Sequence, residues 1–218
     1  MPSRTFTARF AIRSILPQVD VLHLYLDGFS DLPDFAVHPK IRVKRSNDVP
    51  GLRANGKLLG MVSSPEDAFY VTVDDDYWYP RRFVEQLMCN HRELGSAAVV
   101  GVHGSKLLEP FNSFLKDRQV FTSWKPLRER TLVDIVATCG TLHRLKDLRF
   151  DVRHWQVNNQ VDLHFAQEML RAGLKGYLVK RGWFWMKPLG QNQADSIFVG
   201  LKKDDDRQTD LARRLFSP

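Results

Sequence analysis

Cysteine is scarce: the chain has two, Cys89 and Cys139, in 218 residues. Two are too few for a disulfide framework, and neither belongs to a pair with metal-ligand spacing. A reducing, cytoplasmic compartment is the simplest reading of that scarcity. Long apolar runs are missing as well. No window approaches the roughly 18 consecutive apolar residues of a membrane-spanning helix. The opening Met1-Pro2-Ser3-Arg4 lacks the apolar core of a signal peptide. There is no glycine-rich phosphate loop near the start, which counts against a nucleotidyltransferase. No zinc-finger, RRM or KH signature is visible, which counts against the common nucleic-acid modules. With no internal repeat and no clear linker, one large α/β domain is the expected organisation.

What is present is ordinary in amount and lopsided in sign. Hydrophobic residues make up 43% and charged residues 26%, so a core can form without covalent help. The net charge is +7, which suits an acidic partner: nucleic acid, anionic lipid or a phosphorylated substrate. The basic residues fall in small groups, Lys40 to Arg45, Arg81-Arg82, Lys202-Lys203 and Arg213-Arg214, and a solvated basic surface accounts for them equally well.

Strand-like and helix-like stretches alternate. A helix-like stretch follows Arg4. The runs 20–27 (DVLHLYLD) and 40–44 (KIRVK) read as strands, and residues 55–63 carry Leu58, Leu59 and Val62 at helical spacing. The run 68–73 (AFYVTV) reads as a strand buried on both faces. Pro80 suits a first helical turn, with Phe83, Val84, Leu87 and Met88 following at helical spacing. Another buried strand is expected over 97–102. Residues 105–130 read as a long irregular loop, 132–138 as a strand, 159–172 as an amphipathic helix and 176–180 as a late strand. From Gln191 the chain is polar, with a short amphipathic helix expected over 208–216. The division predicted is a catalytic domain over 1–190 and a polar tail over 191–218.

The sharpest signal is Asp74-Asp75-Asp76, directly after a predicted core strand and before Tyr77-Trp78-Tyr79-Pro80. Three adjacent carboxylates repel one another and are costly at the end of a core strand without a counter-charge. A hard divalent cation supplies one, and Mg²⁺ or Mn²⁺ prefers a few carboxylates completed by phosphate oxygens. Ligands of open α/β sheets bind at the carboxyl ends of strands, where this triplet lies. A second triplet, Asp204-Asp205-Asp206, follows Lys202-Lys203 with no strand before it, and reads as a solvated charge run.

The stretch VTVDDDYWYP resembles the strand and DXD segment of GT-A glycosyltransferases, especially bacterial polysaccharide-type enzymes in or near glycosyltransferase family 2. Other segments are similar in the same order. Ser14-Ile15-Leu16-Pro17-Gln18 and the strand to Asp27-Gly28 resemble the family's first helix and second strand. Gly56-Lys57 resembles the glycine–lysine segment before the DXD strand, and Val102-His103-Gly104 a strand end bordering the site. The resemblance spans most of residues 2–187. It implies a Rossmann-like mixed sheet flanked by helices. It also implies metal-dependent, inverting transfer from a nucleotide-sugar donor, a UDP-sugar by expectation, to a saccharide acceptor. On that basis Asp74 and Asp76 would hold Mg²⁺ or Mn²⁺, with Asp27, Lys57, Asp74 and Asp75 counted as donor contacts. Asp27 before Gly28 is equally a turn-forming residue.

Inverting transfer needs a carboxylate to take the acceptor hydroxyl's proton, a role typically worth about 10²–10⁴-fold. Asp162, in NQVDLHF, resembles the family's acid at the start of a helix facing the sugar, with Asp151 as the fallback. Asn159 followed by an acid three residues later also reads as a helix cap, and the two roles are compatible. His103, Gly140, Thr141 and Trp185 are the acceptor-side candidates; Trp183 and Trp185 read either as stacking on an acceptor sugar or, as aromatics in an apolar stretch more often do, as core or rim packing. Cys139-Gly140-Thr141 resembles the family's small-residue turn under the acceptor, and Cys139 has no identifiable base partner. No late histidine completes the metal shell. His164, the last histidine, stands two positions from Asp162 and points to another helix face.

The resemblance also implies a central first strand ending near Pro2-Ser3-Arg4, which this sequence does not supply. Its loss would leave two buried strand edges unpaired. A sugar-nucleotide-binding relative with impaired catalysis is therefore a standing alternative. A basic nucleic-acid-binding protein is another, although nucleic acid is not the expected partner because it leaves the first triplet unexplained. Peripheral membrane contact through the basic amphipathic end, residues 207–216, is left open.

Overall fold

The computed structural model describes residues 1–95, 97–155, 160–190 and 205–216. After a 3-10 turn at Pro2–Arg4, helix α1 (Thr5–Ile15) buries Ala8, Ala11, Ile12 and Ile15, the spacing of one helical face. Strand β1 (Leu22–Leu26) pairs in parallel with β2 (Ile41–Arg45). A long 3-10 helix, Arg53–Ser63, occupies the stretch expected to be helical, and β3 (Phe69–Val73) follows. Beyond the acidic triplet come β4 (Tyr77–Trp78), α2 (Phe83–Leu94) and β5 (Ala98–Gly101). Next are β6 (Gly104–Leu107), β7 (Arg118–Phe121), β8 (Thr131–Val133), β9 (Ile135–Val136) and β10 (Gly140–Arg144). Helix α3 (Val161–Arg171), β11 (Lys175–Leu178), β12 (Lys187–Pro188) and helix α4 (Asp206–Phe216) complete the chain.

The main layer is a five-stranded mixed sheet in the order β3-β10-β5-β11-β8, within a mixed α/β architecture flanked by helices. β10 runs antiparallel to both β3 and β5, while β5 and β11 are parallel. One face packs against α1 and α2 through Ile15, Phe83, Leu87, Val100 and Leu142. The other packs on α3 and the long 3-10 helix through Leu58, Met61, Val99, Phe165 and Leu178.

Four sequence expectations differ from what is observed. Residues 105–130 are not an irregular loop, since β6 and β7 pair across them and β9 joins the other edge of β6. The single strand expected over 132–138 is two, β8 and β9, in different sheets on either side of Asp134. The Asp134 carboxylate holds that break by accepting from the Leu107 N–H at 2.8 Å. Gly140–Arg144, expected to begin as a small-residue turn, is a strand between β3 and β5. Finally, β3 is not buried on both faces. Tyr70 and Thr72 are buried, but Phe69, Val71 and Val73 are only half-buried, because β3 ends its sheet.

Among the described strands β1 meets only β2, and β3 meets only β10. The two sheets nonetheless adjoin. His23 of β1 stacks on Tyr70 of β3 with ring centroids 6.5 Å apart. Gly56 and Gly60 of the 3-10 helix lie against Tyr25 and His23, where an added Cβ would sit 2.2 Å and 2.4 Å from ring carbons.

The second acidic triplet is also more than a solvated run. Asp205 precedes α4, and its Oδ2 accepts from the Ser113 hydroxyl at 2.8 Å and the Leu115 N–H at 2.6 Å. Burial raises its pKa, but these bonds outweigh that and hold it below the usual carboxylate range. Asp204 lies outside the described residues. Helix α4 turns Ala212, Leu211, Leu215 and Phe216 toward Phe114 and Leu163, so its apolar face is spent on the protein body. No described helix is long and apolar enough to cross a membrane.

Candidate active site

The site is built around the chain reversal that follows β3. Asp74-Asp75-Asp76 leaves the carboxyl end of the strand, and Tyr79 fixes the reversal from beneath. The Tyr79 hydroxyl accepts from the Asp74 N–H at 2.7 Å and lies 3.1 Å and 3.0 Å from the carbonyls of Asp74 and Cys139. Its ring is buried and packs on Phe83 at 4.9 Å. On the far side the Leu189 N–H donates to the Asp76 carbonyl at 2.7 Å, continuing the β4–β12 pairing. The triplet's backbone is therefore held from both sides, and its side chains are positioned by scaffold.

Two cations face the three acids. Lys57, from the 3-10 helix, pairs with Asp74 Oδ1. Arg4 Nη1 reaches Asp75 Oδ1 at 3.1 Å and Asp76 Oδ2 at 3.3 Å. Burial lowers the Lys57 pKa, yet the Asp74 carboxylate more than offsets this and Asp162 adds to it, so Lys57 is held above its ordinary value. Asp76 moves the other way. Burial, then the neighbouring charges of Asp74 and Asp75, push its carboxyl up to about 7, against the pull of Arg4 and Lys57.

Among the described residues Lys57 and Arg4 offset part of the negative charge of the triplet. The second Asp76 oxygen, Oδ1, is buried and has no hydrogen-bond partner among the described residues. No group of three or more His, Cys, Asp or Glu side chains among the described residues is arranged to hold a metal ion. A hard cation with one or two protein carboxylates and phosphate oxygens for the rest fits that donor set, whereas an all-protein cage does not.

Asp162 stands in the first turn of α3, and its Oδ1 accepts from both the N–H and the hydroxyl of Thr138 at 2.8 Å each. The helix N-cap is Gln160, with no side-chain cap bond; Asn159, the expected cap, lies outside the described residues. The Asp162 charge acts on Lys57, His103 and Cys139, as does that of Asp74. Asp74 and Asp162 therefore lie within electrostatic reach of the same three groups. His103 sits just before β6, its carbonyl accepting from the Ala137 N–H at 2.8 Å, next to the residue that holds Asp162. Burial is the main cause that drives its imidazole down to about 4, so it is neutral at pH 7. Burial raises the Cys139 thiol well above its ordinary value, with Asp74 and Asp162 adding to the effect, which leaves it un-ionised and unreactive.

The structure thus brings together Asp74, Asp75, Asp76, Lys57, Asp162 and His103. Of the remaining candidates, Gly140 is paired opposite Val73, the residue before the triplet, and the others have the following surroundings. Asp27 follows β1 and precedes Gly28 (φ +73°), where an added Cβ would meet Pro2 at 3.8 Å, and the Gly28 N–H donates to the Ser46 hydroxyl. Gly140 and Thr141 are buried in β10, with the Thr141 hydroxyl on the Ala137 carbonyl at 2.6 Å. Trp185 packs on Phe83 at 5.4 Å, as part of the core. Asp151 is paired with Arg153. Arg4, Tyr79 and Thr138 were not legible in the sequence as site residues. Arg4 meets acids more than 70 positions away, and no local pattern marks such a contact.

Models of known protein families give no match to this chain, and a search of curated proteins finds none similar to it.

Proposed function

We propose that this chain is a metal-dependent, inverting glycosyltransferase of the GT-A type, which moves a sugar from a nucleotide-sugar donor, in our reading a UDP-sugar, to a saccharide acceptor. The observation that carries the reading is the acidic triplet. It is held at the carboxyl end of a strand, with an Asp76 oxygen that is buried and has no hydrogen-bond partner among the described residues, and a second fixed carboxylate, Asp162, acts on the same Lys57 that pairs with Asp74.

Each residue has a physical task. Asp76, with Asp74, would hold Mg²⁺ or Mn²⁺, which supplies Lewis-acid neutralisation of a diphosphate leaving group. Lys57 and Arg4 bring fixed positive charge to the same place, where phosphate oxygens gain from it. Asp162 has one oxygen committed to Thr138, which aims the carboxylate. Its other oxygen takes the acceptor hydroxyl's proton as that oxygen attacks the anomeric carbon and the nucleoside diphosphate departs. His103, neutral at working pH, offers the acceptor a hydrogen bond without adding charge.

The internal pairing of Arg4 and Lys57 with the triplet favours one other reading, donor binding without turnover. The deciding experiment is calorimetric titration of UDP, with and without Mn²⁺, into the chain and into Asp76→Ala. Metal-dependent binding that the substitution abolishes is expected. No binding to folded protein would overturn UDP as the ligand, and binding without transfer to any saccharide would favour the second reading.

A further inference from the structure

The turn between β11 and β12 presents two large aromatic rings to solvent. Trp183 is 66% exposed and Phe184 54% exposed, with ring centroids 6.3 Å apart and planes inclined by 36°. Phe184 also has φ +48°, a left-handed conformation that a bulky side chain rarely adopts. Folding alone explains neither feature. A residue left more than half exposed returns little burial, and a strained backbone at a phenylalanine costs stability that glycine would recover.

The turn is nevertheless held firmly. The Phe184 N–H donates to the Trp124 carbonyl at 2.9 Å, and Arg181 and Leu127 exchange two backbone bonds at 2.9 Å and 3.0 Å. The Arg181 side chain is buried and bonds the Thr122 carbonyl at 2.9 Å. Rings on a clamped turn lose little conformational entropy on binding, which is what a recognition platform requires.

The chain beyond the turn leads to the acidic triplet. Trp185 and Met186 enter the core, Lys187–Pro188 pairs with Trp78–Tyr77, and the Leu189 N–H bonds the Asp76 carbonyl. Leu189 is six positions after Trp183, so the backbone at Trp183 stands within about 20 Å of Leu189, which bonds Asp76, at ~3.3 Å per residue. Trp78, 40% exposed, lies along the same β4–β12 ribbon.

We propose that Trp183 and Phe184 form an outer acceptor subsite that stacks on the apolar faces of sugar rings, so the acceptor is an extended saccharide rather than a monosaccharide. This rests on the glycosyltransferase reading. Sugar C–H groups meet the electron-rich aromatic face favourably, and an offset, inclined pair of rings suits successive residues of a chain. Continuity with the triplet through β12 favours a saccharide reaching inward over a flat membrane surface.

The test compares the intact chain with Trp183→Ala and Phe184→Gly. The probes are linear hexasaccharides of neutral hexoses and of N-acetylhexosamines, the matching monosaccharides, and anionic phosphatidylcholine–phosphatidylserine vesicles. Binding is read by tryptophan fluorescence and melting by calorimetry. We expect at least one hexasaccharide to bind at least tenfold more tightly than its monosaccharide, and each substitution to weaken it tenfold or more. Phe184→Gly should melt no lower than the intact chain. No hexasaccharide binding, or binding equal in all three proteins, would overturn the subsite. Vesicle binding lost in both variants, without saccharide binding, would overturn it in favour of a membrane surface. A separate UDP–Mn²⁺ titration of the intact chain distinguishes the two readings: nucleotide binding without saccharide binding sinks this subsite alone.

Discussion

Replacing Lys57 by methionine tests whether the triplet is electrostatically strained and whether a metal ion relieves it. The substitution keeps an unbranched apolar stem of similar length and removes the charge that faces Asp74. The triplet would then lose one of the two cations that face it among the described residues, and the local charge becomes more negative by one. Breaking a buried pair typically costs 3–5 kcal/mol and an exposed one about 0–1. This pair lies between those limits, with side-chain exposures of 19% for Lys57 and 31% for Asp74. A loss of about 2 kcal/mol is the reasoned value. For a chain of this length that is a fall in melting temperature of about 4–8 °C. The assay is scanning calorimetry of both proteins in EDTA and in excess Mn²⁺. In EDTA the variant should melt lower by that amount, and Mn²⁺ should raise it more than it raises the intact chain, since the cation replaces the missing charge. Melting within about 1 °C in EDTA would show that the pair contributes nothing. An equal Mn²⁺ shift in both proteins would refute metal binding at the triplet.

Two further outcomes follow from the core around this site. His143 is buried among the rings of Tyr70 and Phe165, and burial, aided by His91, pushes its imidazole down to about 3. Above pH 6.5 both folded and unfolded states hold it neutral. As pH falls toward 3 only the unfolded chain takes up the proton, so stability is lost on acidification. Urea unfolding should show His143→Leu losing about 3 kcal/mol less than the intact chain between pH 6.5 and pH 4, and parallel losses would refute the assignment. Gly56→Ala would set a Cβ 2.2 Å from the Tyr25 ring. Overpacking of this kind costs roughly 1–3 kcal/mol, and an unchanged denaturation midpoint would show that β1 yields freely.

The parts of the site legible in the sequence are those encoded locally. A β-rich apolar run ending in three acids announces both a strand and a cation-attracting turn, because strand periodicity and carboxylate repulsion act between neighbours. Asp162 was legible for the same reason, as an acid in a helix's first turn. Gly140–Arg144 was not recognised as a strand, because its Gly-Thr-Leu-His-Arg pattern has no clean alternation and its register comes from β3 and β5 on either side. The exposure of β3 was misjudged for a related reason, since an apolar run does not state how many neighbours its strand will have.

Local chemistry therefore determined most of the helices, the strand β3, the acid-bearing turn after it and the acid opening α3. The tertiary structure alone decided what those acids face. Arg4 and Lys57 come from separate segments to balance the triplet, Thr138 fixes Asp162, and the aromatic turn is clamped by Trp124 and Arg181. These are contacts between residues far apart in the chain, and their energies depend on distances and burial that exist only once the chain has folded.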